Sequence, residues 1–223
     1  MKYFNFPISL LYDFNDSTNE VLNNISNFAF YKISSDINGS NKEKLDYAAQ
    51  FFGVTINNPK ALELGKKLYN AHGGGAMVGI SKDMYFDFLQ NDNKTEFDKI
   101  CLLAFLGLKS IIGKSEYTKT NFKLMFSRMS GYHSTTDSLE ISLLKYTTRR
   151  KRERIMDALQ DNWHLKMYSY HTRGFYVSFD LTREELIKMA EGKKKKTKKQ
   201  ERQAEDKRVR EALKSKLQEK CTL

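Results

Sequence analysis

The chain has 223 residues, a formal net charge of +11 and a sequence pI near 9.4. That length allows one large domain or two small ones with a real hydrophobic core, and the charge favours a polyanionic partner. Two cysteines exclude a disulfide framework or a cysteine-only metal site, and the longest apolar run, Ile100 to Ile112, contains Lys109 and is too short to span a bilayer.

The first dozen residues alternate Phe4, Phe6, Ile8 and Leu10 against polar neighbours, which predicts an extended segment that Pro7 confines to a sheet edge. Nothing in MKYFNFPISLLYDF resembles a secretory signal, so the expectation is a reducing cytoplasm. Asp16 or Ser17 caps a helix to about Ser34 carrying Val21, Ile25, Phe28 and Ala29 inward. Asn41 is expected to cap a second helix to Phe52, ended by Gly53, and Asn58-Pro59 opens a third that stops at the glycines after His72.

Met77 to Ile80 reads as a short strand, and Ser81 starts a helix with Met84, Tyr85 and Phe88. Thr95 leads into a helix that is apolar on every face, from Phe97 through Leu103 to Ile112, which suits the centre of the fold or a dimer interface. Thr118 is read as the cap of a helix to about Met129, followed by a Ser/Thr-rich connection, Gly131 to Ser138, and a short helix around Leu139 to Tyr146.

Thr147 or Thr148 then caps a basic helix with an inward stripe of Ile155, Leu159 and Trp163. Leu165 to His171 and Phe175 to Phe179 read as hairpin strands, and Thr182-Arg183-Glu184-Glu185 has the capping-box pattern of a closing helix to about Glu191. From Gly192 the composition turns Lys-rich and then mixed in charge, with Val209, Leu213 and Leu217 four apart; this tail reads as flexible or partly helical. The fold class is therefore mainly α with a small β-hairpin. Three parts follow: a mostly helical region at 1–117 whose role the sequence does not specify, a module at 118–191 and a basic tail at 192–223.

Charge is concentrated. Residues 192–223 hold 13 Lys/Arg against 5 Asp/Glu, and residues 145–154 hold 6 against 1, so these segments carry +8 and +5 and the rest of the chain −2. Arg149, Arg150, Lys151, Arg152 and Arg154 crowd the start of one helix, where the macrodipole disfavours each cation by about 0.3–1 kcal/mol. A bound anion would offset that cost. Arginine suits bidentate contact with guanine O6/N7, and all five suit phosphate oxygens. Lys166, His171 and Arg173 lie at the base and tip of the hairpin, and Lys193, Lys194, Lys195, Lys196, Lys198 and Lys199 form a run for sequence-independent phosphate attraction.

On these residues the segment from about 118 to 180 resembles a winged-helix DNA-binding domain, of the kind found in transcription regulators and in plasmid and phage replication initiators. The resemblance implies a recognition helix from Thr148 to Asn162 and a wing from Leu165 to Phe179, in a winged helix-turn-helix module preceded by the N-terminal helical region. The connection before Ser138 is longer than such domains usually have. The expected partner is double-stranded DNA, with a homodimer or another protein as a further partner, no membrane, no cofactor and no enzymatic activity; the role is transcription regulation or replication initiation, on a mobile element.

Other chemistries are weaker. His72-Gly73-Gly74-Gly75 has the composition of an esterase oxyanion loop, yet the chain has no G-x-S-x-G nucleophile elbow. Gly107 to Ser115 has the wrong glycine spacing for a phosphate-binding loop. Asp83, Asp87, Asp92, Glu96 and Asp98 offer a metal-dependent nuclease as an alternative, and an assembly protein with a basic nucleic-acid-contacting tail is another.

Overall fold

A computed structural model describes residues 3–91, 93–169 and 174–221, with 194, 196 and 212–221 described by backbone alone. The fold is mainly helical with two small antiparallel sheets. The first sheet pairs β1 (Tyr3–Pro7) with β2 (Met77–Ser81), in the register Phe4 with Ile80 and Phe6 with Val78. The expected alternation holds: Phe4 and Phe6 are buried and Tyr3 and Asn5 exposed, while Pro7 closes the strand before a 3-10 turn at Ile8–Leu11.

Around this sheet stand α1 (Thr18–Ser34), α2 (Asn41–Phe52), α3 (Ala61–His72) and α4 (Lys82–Gln90). Ser40, not Asn41, caps α2: its hydroxyl accepts from the Glu43 amide and the Glu43 carboxylate accepts from the Ser40 amide. That reciprocal pair satisfies two donors the helix start leaves open, which an Asn one position later could not do. α1 is tied to α4 by Tyr85, whose fully buried hydroxyl bonds Ser26 Oγ at 2.9 Å and donates to the Leu22 carbonyl. Burial pushes this phenol well above its usual range. Tyr85→Phe should cost about 1–2 kcal/mol, the scale of a buried hydrogen bond. A urea midpoint equal to wild type would mean that the hydroxyl does not bridge the two helices.

α5 (Glu96–Ile112) settles the choice left open for the all-round apolar helix. A Thr95–Asp98 capping box starts it, and Ile100 to Leu108 are buried within the chain against β2, α6 (Phe122–Met129) and α8 (Arg149–Asn162). Cys101 lies in this core, and burial raises its thiol to about 11. One apolar cluster runs from Phe4 to Val177, so the core crosses residue 117 without a break.

Two expectations fail in the second half. Thr118 does not cap a helix: Thr118–Thr120 forms β3, and Asn121 caps α6 through the Leu124 amide. The β-branched Thr-Lys-Thr alternation pairs with β5 (Phe175–Ser178), Thr118 opposite Val177 and Thr120 opposite Phe175, and β4 (Lys166–Tyr168) pairs with the other edge of β5. The sheet order is β3-β5-β4. α7 (Ile141–Leu144) lies between α6 and α8 as expected.

The closing helix does not end near Glu191. α9 runs from Arg183 to Cys221, started by the expected Thr182–Glu185 capping box. Its packing does end there: Leu186 and Ala190 are buried beside β4 and β5, and Val209 is 54% exposed. Gly192 alone cannot stop a helix followed by Lys, Glu, Gln, Arg and Ala, all strong helix formers, and Lys207–Glu211 adds a pair one turn apart. Among the described residues no helix is long and apolar enough to cross a membrane.

Candidate nucleic-acid interface

α8 packs on α5 through Ile155, Met156 and Leu159, with Trp163 against Phe105 at 4.8 Å between ring centres. Thr148 holds the N-cap position in an extended conformation, although its side chain makes no capping hydrogen bond. At its start Arg149, Arg150, Lys151 and Arg154 are exposed and Arg152 is half-buried.

The five cations are not equivalent. Arg149 Nε donates to Glu153 Oε1 at 2.9 Å. Lys151 Nζ lies 5.3 Å from the centre of the Tyr146 ring, Arg152 Cζ 4.6 Å from Phe122 and Arg154 Cζ 4.3 Å from Phe97. Such contacts stabilise by about 0.5–1 kcal/mol at exposed sites. They match the macrodipole penalty, so the crowding of cations at this helix start has a local explanation that needs no bound anion for Lys151, Arg152 or Arg154. Arg152 is the most enclosed, with its Nε buried and without a hydrogen-bond partner among the described residues.

Arg150 differs. Five positions before Ile155, it lies about 140° around the helix from the buried stripe, is exposed, and has no ion pair or ring contact among the described residues. Further along the outward side Asp157 and Asp161 replace the arginines, both exposed. An anion approaching α8 meets Arg149 and Arg150 first and carboxylates two turns later. Beside these turns Thr95, Glu96, Phe97, Tyr146, Lys151 and Arg154 line a cleft of about 290 Å³, and Lys145 holds Glu96 there in an ion pair that lowers the glutamate's pKa.

The three-stranded sheet flanks this helix. Phe175 and Val177 face the core, with Phe175 4.7 Å from Phe122, and Lys166 at the base of the hairpin is half-buried. His171 and Arg173, expected at the tip, lie outside the described residues. Sequence reading missed Lys119, which β3 exposes with its Nζ 5.9 Å from the Tyr176 ring. α9 leaves the sheet with Tyr168 donating to Glu191 at 3.2 Å and Lys193 over the Tyr117 ring at 5.9 Å. Lys193, Lys195, Lys198 and Lys199 are exposed, and Lys194 and Lys196 share the same helical backbone.

The acidic segment is dispersed. Asp87 pairs with Lys94 at 3.0 Å, Glu96 with Lys145, and Asp98 caps α5, its pKa lowered by the Thr95 hydroxyl and amide; Asp92 lies outside the described residues. Among the described residues no three His, Cys, Asp or Glu side chains gather as a metal-ligand set. His72 Nδ1 meets Ser9 Oγ at 3.0 Å, tying the end of α3 to the 3-10 turn.

No protein-family model, curated protein or solved structure matches the chain.

Proposed function

We propose that the chain is a double-stranded DNA-binding protein, acting in transcription regulation or replication initiation in a reducing cytoplasm. The observation that carries this reading is topological. The order α5–β3–α6–α7–α8–β4–β5, with β3 returning to pair with β5, supports a winged-helix reading in which α8 would be the recognition helix and β4–β5 the wing. On this reading the module begins at Glu96 and not at Thr118, because α5 supplies its first helix, and α7 occupies the long connection before the recognition helix.

Base contact falls to the first turn of α8, to Arg149 and Arg150, since Asp157 and Asp161 keep the later turns from phosphates. The wing and the α9 lysines supply phosphate attraction. Arg150→Ala should lower affinity for a duplex selected from a random pool by about tenfold, the scale of one lost bidentate base contact, with nonspecific binding barely changed. Equal loss on every sequence would refute base reading by this residue. No duplex binding at low salt would refute the DNA reading.

A second reading, an assembly component that contacts nucleic acid only through α9, is favoured by the local partners that four of the five α8 cations already have. It predicts that the same substitution leaves all duplex binding unchanged.

A further inference from the structure

A cleft of about 710 Å³ opens between α1, the 54–58 loop, the start of α3 and the end of α4. No residue of α8, α9 or the three-stranded sheet lines it. Its size lies within the range of small-molecule sites. Phe30, Val54, Phe86 and Leu89 give it an apolar floor, and Asn23, Asn24, Asn27, Asn57 and Gln90 supply carboxamides.

Most of those carboxamides are available to a ligand. Asn58, in the loop that lines the cleft, is the exception, its Oδ1 accepting from the Lys60 amide. The side-chain amides of Asn23, Asn24, Asn27, Asn57 and Gln90 make no hydrogen bond to any described residue, and Asn24 and Asn27 are half-buried. Three of them sit in the interior of α1, where asparagine is a poor helix former and has no cap to make. The spacing 23, 24 and 27 puts all three on one side of the helix. Helix stability is thus given up to place three free amides over one cavity.

The charge of the lining narrows the ligand. The chain holds 38 Lys and Arg, yet none lines this cleft, and its one ionic residue is Glu20. A phosphate would meet a carboxylate and no cation. A carboxamide offers a donor beside an acceptor, and its complement is an edge with an acceptor beside a donor, as on a nucleobase. A flat ring also suits an apolar floor containing two phenylalanines. An extended peptide fits less well, because helical walls leave no strand edge for its main chain. We infer that this cleft binds an uncharged nucleoside or free base, its edge read by Asn23, Asn24 and Asn27 and its ring seated beside Phe30 and Phe86.

The test is a titration of the full chain, labelled for side-chain amide resonances, with the four ribonucleosides, their 5′-monophosphates and tetra-alanine. At least one nucleoside should saturably shift the Asn24 and Asn27 amides, and its monophosphate should bind at least about tenfold more weakly despite the +11 chain. Asn24→Ala should weaken that nucleoside about tenfold, with the melting temperature unchanged or raised and duplex binding untouched. Monophosphates that bind more tightly than nucleosides, shifts by tetra-alanine alone, or no shift at these amides at millimolar nucleoside would overturn the inference.

Discussion

Removing residues 193–223 should flatten the salt dependence of duplex binding by about three in the slope of log K against log salt, and the size of the change reports the form of the arm. Each phosphate neutralised contributes about 0.9 to that slope on B-DNA. Lys193, Lys194, Lys195, Lys196, Lys198 and Lys199 would give a change of about five if a pliable tail laid every lysine on the backbone. α9 does not permit that. Successive side chains on a helix are about 100° apart, so seven consecutive positions point around the whole cylinder and about half face any one duplex. Three contacts give a change of about 2.7, so that raising salt from 50 to 200 mM weakens the full chain about forty-fold more than the truncated one.

A slope change near five would mean that the arm unwinds on DNA, and no change would mean that α9 does not touch it. The arm's origin makes contact geometrically reasonable. Leu186 and Ala190 fasten it beside β4 and β5, and Lys193 already lies over Tyr117, so the lysine run begins where the proposed wing ends. Beyond Gly192 the helix reaches about 45 Å at 1.5 Å per residue. That length would carry its mixed-charge end past the lysines and away from the sheet.

Several helix starts were legible in the sequence because a local rule decided them, although the Ser40–Glu43 box was read one residue late. Ser81, the Thr95 start and the Thr182 capping pattern are such cases, because a cap and its partner lie within one turn. β3 was not, because three residues carry too little periodicity and the pairing that defines them comes from Phe175–Val177, more than fifty residues away. The length of α9 was misread for the opposite reason. Its continuation rests on backbone propensity, and from 197 to 211 every residue is exposed, whereas hydrophobic patterning identifies helices by the face they bury. In the candidate interface the cations were legible as a group but not as individuals. Only packing separates Arg150, which faces outward unpaired, from Arg152 and Arg154, which rest on Phe122 and Phe97.

Gly65→Ala should lower stability by about 3 kcal/mol, at the upper end of what an added methyl costs in a packed site. On a solvent-facing helix the same change stabilises by up to about 1 kcal/mol, because glycine is the poorer helix former. The sign reverses here because α1 and α3 meet at this residue. A methyl on Gly65 would lie 2.1 Å from the Asn27 carbonyl oxygen and 2.6 Å from Tyr31 Cβ. Neither obstacle can swing aside, since one is backbone inside α1 and the other the root of a side chain. Relief requires the helices to move apart, which loosens Tyr69 of α3 from Phe28 and Tyr31 of α1. For a chain of this size the loss corresponds to about 6–12 °C in melting temperature. Gly192→Ala is the matched control, because a methyl there meets nothing within 4 Å and only the propensity gain remains. If Gly65→Ala melts with or above wild type, the close crossing of α1 and α3 is wrong, and with it the placement of Asn27 over the carboxamide-lined cleft.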